Sequence, residues 1–484
     1  MSAEMRILLP SVALGLALAG VSLAPAAADD EELAVPPIEQ TNLALTVYEQ
    51  DMALVQDRRM VTLTEGLNRV AFEAVSAKLM PDTVVVDGLG DAPLSLLEQR
   101  FEANIISQRA LVEASVGKQV RVAVRDGQSG AETIESGTLL AAKEGIMLKI
   151  GDRIESLPGR IIFNSVPAGL RAQPALVLAL TSLKGGSLPI EIDYLSSGLA
   201  WSANYVAELE PDERHLSLSG RATVTNNSGS SYEDARLTLV AGSLNLARSP
   251  EAAGTPPLLA AMAPRAMPMA KSAGFSDPAP VGDYYRFTLD RKIGIGDRES
   301  IQLALFHAGS VPVEKEYRIE DSPPVTSAVA AGEPEPLSFA LRYSFPNTKT
   351  AGLGRALPQG IARIYKRAAD GGIAFLGEDQ LSETPLDKTV ALDIGRAFDV
   401  TAERKQTSFA ELGERSYEAG IELHLKNARD EPVLATVYED FRGDWRILQS
   451  SDTHSKASAG AELWRISLPA HGEHLLTFKV ATHF

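Results

Sequence analysis

Apolar and polar residues alternate at period two through much of this chain. Ile421, Leu423 and Leu425 fall on one face of such a run, with Glu422, His424 and Lys426 on the other. Leu476, Phe478 and Val480 alternate with Thr477 and Lys479 in the same way, and Leu216, Leu218, Ala222 and Val224 share a face. One buried and one wet face is the signature of antiparallel strands. Residues 43–75 read as successive short strands broken at Gly66 and Asn68. Only one helix is predicted, from about Ser107 to Val116, capped by Ser107 and ended by Gly117.

These elements predict an all-β protein of several immunoglobulin-like β-sandwich modules with very little helix. Residues 117–163 hold five short strand candidates punctuated by Gly127, Gly137, Gly145, Gly151 and Gly159. That compact spacing predicts a small closed β-barrel inserted in an N-terminal β domain spanning 43–182. It resembles Sm-like barrels and is read as structural. A β-sandwich follows over 183–320, interrupted by a flexible Ala/Pro/Met-rich loop at 249–283. A linker at 321–336 leads to a C-terminal β-sandwich at 337–484. Residues 422–440 faintly echo 222–240: in both, a strand meets Asn and a polar loop before the next strand.

The first residues carry a different pattern. Arg6 precedes an apolar run from Ile7 to Val21, and Ala26, Ala27 and Ala28 are followed by acid. This is the layout of a secretory signal peptide over 1–28, with cleavage near Ala28. Either Met1 or Met5 serves as its start. Residues 29–42, acidic and Pro-containing, read as an extended leader. The apolar run is too short for a spanning helix and nothing later approaches that length, so no transmembrane segment is expected in the mature chain. Export places the protein in the periplasm or at the cell surface.

Charge and composition narrow the partners. A net charge of −17 repels nucleic acid and anionic lipid, so no nucleic-acid partner is expected. The chain has no cysteine, which excludes thiolate metal sites and disulfide redox chemistry. The alternation ending at Phe484 mimics the last strand of an outer-membrane barrel. An aromatic content of 6% is too low for the aromatic girdles such a barrel needs.

Several segments, in order, carry a resemblance: 194–209 (YLSSGLAWSANYVAEL), 222–242, then RIYKR, FLGED, FDVTAERKQTSF and DEPVLATVYEDFRGDW. They are similar to a bacterial family known as domain of unknown function 4139, some longer members of which are labelled mucoidy-inhibitor-like. The resemblance runs from about Leu45 to the C-terminus. It implies an exported, mostly β protein and supplies no catalytic residues. The longer members carry an N-terminal coiled coil, and no heptads occur here.

Candidate chemistry is sparse, and no catalytic residue or cofactor is assigned. A nucleophile elbow is absent; Gly185-Gly186-Ser187-Leu188-Pro189 lacks the final glycine. Ser115 and Lys118 have S-x-x-K spacing, but Gly117 breaks the helix that spacing requires. His471 and His474 are the best metal candidates, although P-A-H-G-E-H reads first as a turn. Met262, Met267 and Met269 offer thioethers suited to Cu(I), in a stretch more simply read as linker. His215, His307, His424 and His454 are scattered. Trp201 and Tyr205 share a strand face and form either a binding surface or core.

The reading is an exported, non-catalytic cell-envelope protein, a protein-interaction or structural module whose partner is another envelope protein. The alternatives are an envelope hydrolase or carbohydrate-active enzyme, and a metal-binding periplasmic protein.

Overall fold

The computed structural model describes residues 32–88, 94–125, 131–156 except 144, 160–242 except 168, 275–320 and 334–483 except 369 and 370, with isolated positions at 244, 245, 322, 323 and 325. The expected signal peptide at 1–28 and Met262, Met267 and Met269 lie outside the described residues. The protein is nearly all β, as the alternation predicts. The α-helix Gln108–Ala114 is where expected: Ser107 is extended and its hydroxyl accepts a hydrogen bond from the Ala110 N–H at 3.1 Å. Past its end, Gly117 takes a φ of +81°, a conformation that suits glycine.

The five strands expected after this helix are all present. They form one sheet in the order Arg153–Ser156, Met147–Ile150, Glu132–Ala141, Gln119–Arg125, Arg160–Ile162. The sheet is not the closed barrel expected. Its outer strands, of four and three residues, lie at opposite edges and do not pair among the described residues. Closure comes instead from packing, as Val112 of the helix joins Val120, Val122, Leu139, Leu148 and Ile150 in a small separate core.

A second sheet holds Glu32–Val35, Gly66–Glu73, Ala175–Ser182 and Leu94–Glu102. Residues 32–35, read as leader, are thus a strand parallel to Gly66–Glu73, and Val35 is buried. The central sheet runs Ala279–Val281, Tyr284–Thr288, Tyr232–Ala241, Gln40–Tyr48, Met52–Leu63, Gly186–Ser197, Val85–Gly88. Strands from both sides of residue 183 therefore alternate within it. A further sheet orders Glu299–Pro312, His215–Asn226, Leu199–Leu209, Gly360–Arg367 and Ile373–Leu381. Apolar faces from these sheets meet in one large core that includes Leu45, Val55, Ile192, Trp201, Leu218, Leu237 and Ile364.

A nine-stranded sheet builds the C-terminal part, from Asp444–Ser450 at one edge to His454–Lys456 at the other. It curls on itself: Trp464 and Phe478, near opposite edges, stack with centroids 4.7 Å apart. The 25-residue strand Thr389–Gly413 belongs to this sheet yet serves both cores. Val390, Leu392 and Ile394 sit in the large core, Val400 and Ala402 in the C-terminal one.

The faint echo between 222–240 and 422–440 has a structural counterpart. Asn226 and Asn427 each end a strand, fully buried. The Asn226 carboxamide donates to the carbonyls of Ser230 (2.8 Å) and Gly296 (3.0 Å) and accepts from the Ser228 N–H. Asn427 donates to Glu431 (2.9 Å) and Pro469 (2.8 Å) and accepts from the Arg429 N–H. Both side chains bond positions two and four residues ahead and tie the corner to a second loop.

Candidate functional site

The central strand Met52–Leu63 points two charged residues inward. Val55, Asp57, Arg59 and Val61 are all buried on its core side. Arg59 Nη2 meets Asp57 Oδ2 at 2.6 Å, and its Nη1 donates to the carbonyls of Val35 (2.6 Å) and Glu73 (2.8 Å). Gln40 Nε2 donates to Asp57 Oδ1 at 2.7 Å, and Phe72 lies under the guanidinium. The pair lines a cleft of about 500 Å³ with Tyr194, Tyr232 and the 229–231 turn. Burial pushes both tyrosine hydroxyls up. The Ser76 N–H donates to Tyr194 OH at 3.3 Å, and the Ser76 and Ser196 hydroxyls meet at 2.6 Å. Because Asp57 and two carbonyls occupy the guanidinium, the cation works as a clamp on three strands rather than as a free anion receptor.

A second perturbed group sits at the end of strand Gln40–Tyr48. Burial raises the Glu49 carboxyl to about 7, against the hydrogen bond from the Gly242 N–H and with help from the Glu383 charge. Gln50 Nε2 donates to the Gly242 carbonyl at 3.0 Å. A crevice of about 200 Å³ beside them is lined by Gly242, Tyr285, Pro358 and Glu383. A carboxyl that holds its proton near neutrality can act as a hydrogen-bond donor, although Glu49 does not itself line the crevice.

Trp201 and Tyr205 are core residues, which corrects their candidacy as a binding surface. Trp201 Nε1 donates to the Val240 carbonyl at 3.0 Å, and Tyr205 OH to that of Pro358 at 2.6 Å. Shared facing was legible in the alternation, but that the face is covered by Phe287 and Phe306 was not. His471 and His474 each have their own carboxylate. His471 Nε2 lies 2.9 Å from Asp430 and His474 Nε2 3.0 Å from Asp452. They do not converge. Among the described residues, ligand atoms of Glu210, Asp212 and His215 do, all within 4.8 Å of one another. Sequence reasoning passed over this trio, although Glu-x-Asp-x-x-His astride a hairpin turn is a readable signal.

Two serine–histidine pairs also form across strands. Ser219 Oγ lies 3.0 Å from His307 Nδ1, and Ser416 Oγ lies 2.7 Å from His483 Nδ1. Asp444 stands opposite His483 in register, yet neither ring bonds a carboxylate among the described residues. A serine–histidine contact without an oriented base is not an activated nucleophile. Ser115 ends the helix, and Gly117 separates it from Lys118 as expected.

The architecture defines a class: an all-β protein whose strands are shared among several sheets. Among its described residues, no helix is long and apolar enough to cross a membrane. A family model described as a domain of unknown function, DUF4139, matches residues 190–484, and the chain belongs to that family. No curated protein matches it. The match begins inside strand Gly186–Ser197, later than the Leu45 expected. That strand pairs with Met52–Leu63, and Tyr232–Ala241 pairs with Gln40–Tyr48. The family region thus completes its central sheet with strands from outside the matched segment.

Proposed function

We propose that the protein is an exported, non-catalytic module of the cell envelope that works by binding another envelope protein. The observation that carries the interaction reading is apolar exposure where two sheets meet. Phe398 on strand Thr389–Gly413 is 93% exposed, and Phe375 on the edge strand Ile373–Leu381 is 56% exposed. The two strands approach so closely that a Cβ on Gly377 would lie 2.1 Å from the Ile394 carbonyl oxygen. Edge strands ordinarily carry charge or cover, and exposed aromatic side chains on an edge strand, as Phe375, and on a strand paired on both sides, as Phe398, favour a protein partner. Export rests on the sequence: the apolar run Ile7 to Val21 followed by Ala26, Ala27 and Ala28.

One experiment addresses both parts. A photo-crosslinking residue replaces Phe398 in cells, and the protein is recovered by fractionation and intact mass. The expected result is a mature chain lacking 1–28 in the envelope fraction, with one discrete protein adduct that Phe375→Glu abolishes. A full-length chain in the cytosol defeats the export reading. A mature chain with no adduct defeats the interaction reading.

A further inference from the structure

We propose that the turn joining strands Leu199–Leu209 and His215–Asn226 is a zinc-type divalent metal site held by Glu210, Asp212 and His215. The three side chains offer one ligand atom each, and these atoms lie within 4.8 Å of one another. A tetrahedral first-row ion with ligands at about 2.0–2.2 Å holds them roughly 3.3–3.6 Å apart, so binding draws these side chains together by about 1 Å, within reach of exposed rotamers at a turn. The donor set is two carboxylates and one imidazole, which suits three protein ligands with the fourth position left to water. Magnesium and calcium prefer all-oxygen sites, and soft ions prefer the sulfur that this turn lacks.

The turn's backbone holds the ligands in place. The Glu210 N–H donates to the His215 carbonyl at 2.9 Å, and the Glu213 N–H to that of Glu210 at 3.0 Å. The Arg214 N–H takes Asp212 Oδ1 at 3.0 Å, which leaves Oδ2 for an ion. Charge is arranged to match. The nearby lysines, Lys315 and Lys366, both bond Glu213, at 2.6 and 2.5 Å. Among the described residues neither Glu210 nor Asp212 forms an ion pair, so both carboxylates keep oxygens for an ion. The site also has a position of consequence. The Val313 N–H, between strands Glu299–Pro312 and Glu314–Ile319, donates to the Arg214 carbonyl at 2.9 Å. Those strands belong to different sheets, so an ion here stiffens the junction between the two cores.

The test uses the full chain, untagged and stripped with a chelator. Zn²⁺ is titrated by calorimetry, and Co²⁺ by its visible absorption, which reports the coordination number and geometry of the bound ion. The expected result is one equivalent bound, with affinity reduced in His215→Ala and Asp212→Asn by more than the roughly tenfold that loss of even an outer-shell partner costs. His474→Ala binds as the parent does. Absence of saturable binding, or binding unchanged in His215→Ala, overturns the site. Circular dichroism of the metal-free variants checks folding. Should His215→Ala fail to fold, Asp212→Asn, at an exposed turn position, decides alone.

Discussion

Two glutamates show how the same side chain is tuned in opposite directions by its neighbours. Burial pushes Glu213 up, but hydrogen bonds from Lys315 and Lys366 outweigh it and hold the carboxyl at about 2, below its ordinary 4.5. Glu213 does this at a φ of +54°, with Lys315 lying over the rings of Tyr317 and Tyr343. Glu49 is raised from 4.5 to about 7, chiefly by burial. The signs follow from proton counting. Unfolded Glu213 holds its proton more tightly than the folded form, so its stabilisation is full above pH 4.5 and disappears as pH falls toward 2. Folded Glu49 holds its proton more tightly, so stability falls as pH rises from 4.5 through 7. Each contribution is on the order of 1–3 kcal/mol after discounting for solvent screening. Thermal unfolding followed from pH 2 to 8 is expected to show both slopes. Glu213→Gln flattens the acid slope and Glu49→Gln the neutral one. A profile unchanged by either substitution contradicts the assignment.

At the scale of elements, the buried asparagine corners are the recurring device. Each closes a strand end whose carbonyls and N–H groups would otherwise be unpaired inside the protein. Asn427→Ala removes donors to Glu431 and Pro469 together with the acceptor for Arg429, and is expected to cost about 1–3 kcal/mol. Asn226→Ala is expected to cost at least as much, because it breaks the matching bonds and also the 2.7 Å bond from the Ser228 hydroxyl. Urea unfolding measures both, and a loss confined to one corner contradicts their equivalence. The sequence echo pointed at this pair and at its local bonds, but not at the bonds to Gly296 and Pro469, which lie far along the chain. Strand facing was legible: Ile421, Leu423 and Leu425 are buried as their alternation predicts. The helix and its Ser107 cap were legible because both signals are local. Pairing was not. Period-two alternation fixes which face is apolar, but carries no register to a partner far along the chain, such as Ala44 opposite Arg236. For the same reason Trp201 was visible only as an aromatic on an apolar face, whereas Glu210, Asp212 and His215 lie within one turn and were legible through their spacing.

For the whole molecule, the consequence of shared sheets is that the family-matched region does not stand alone. Residues 190–484 contain strands Tyr232–Ala241 and most of Gly186–Ser197, which lie on either side of the hairpin Gln40–Tyr48 and Met52–Leu63. Removing that hairpin unpairs both ladders and uncovers the wall of the large core formed by Leu45, Val47, Val55 and Val61. Each fully buried Val or Leu is worth about 1.5–3 kcal/mol, so this loss alone approaches the total stability of an ordinary domain. The strand Thr389–Gly413 then transmits the damage, because its first residues pack in the large core and its later ones in the C-terminal core. A fragment spanning 190–484 is therefore expected to aggregate or bind a hydrophobic dye, while the chain from residue 29 onward unfolds cooperatively. Supplying residues 29–189 as a separate chain is expected to restore a soluble complex, since the missing strands enter through ladder pairing rather than through a continuous backbone. If the 190–484 fragment proves soluble, monomeric and cooperative by calorimetry, the central sheet is not the common foundation its strand order implies.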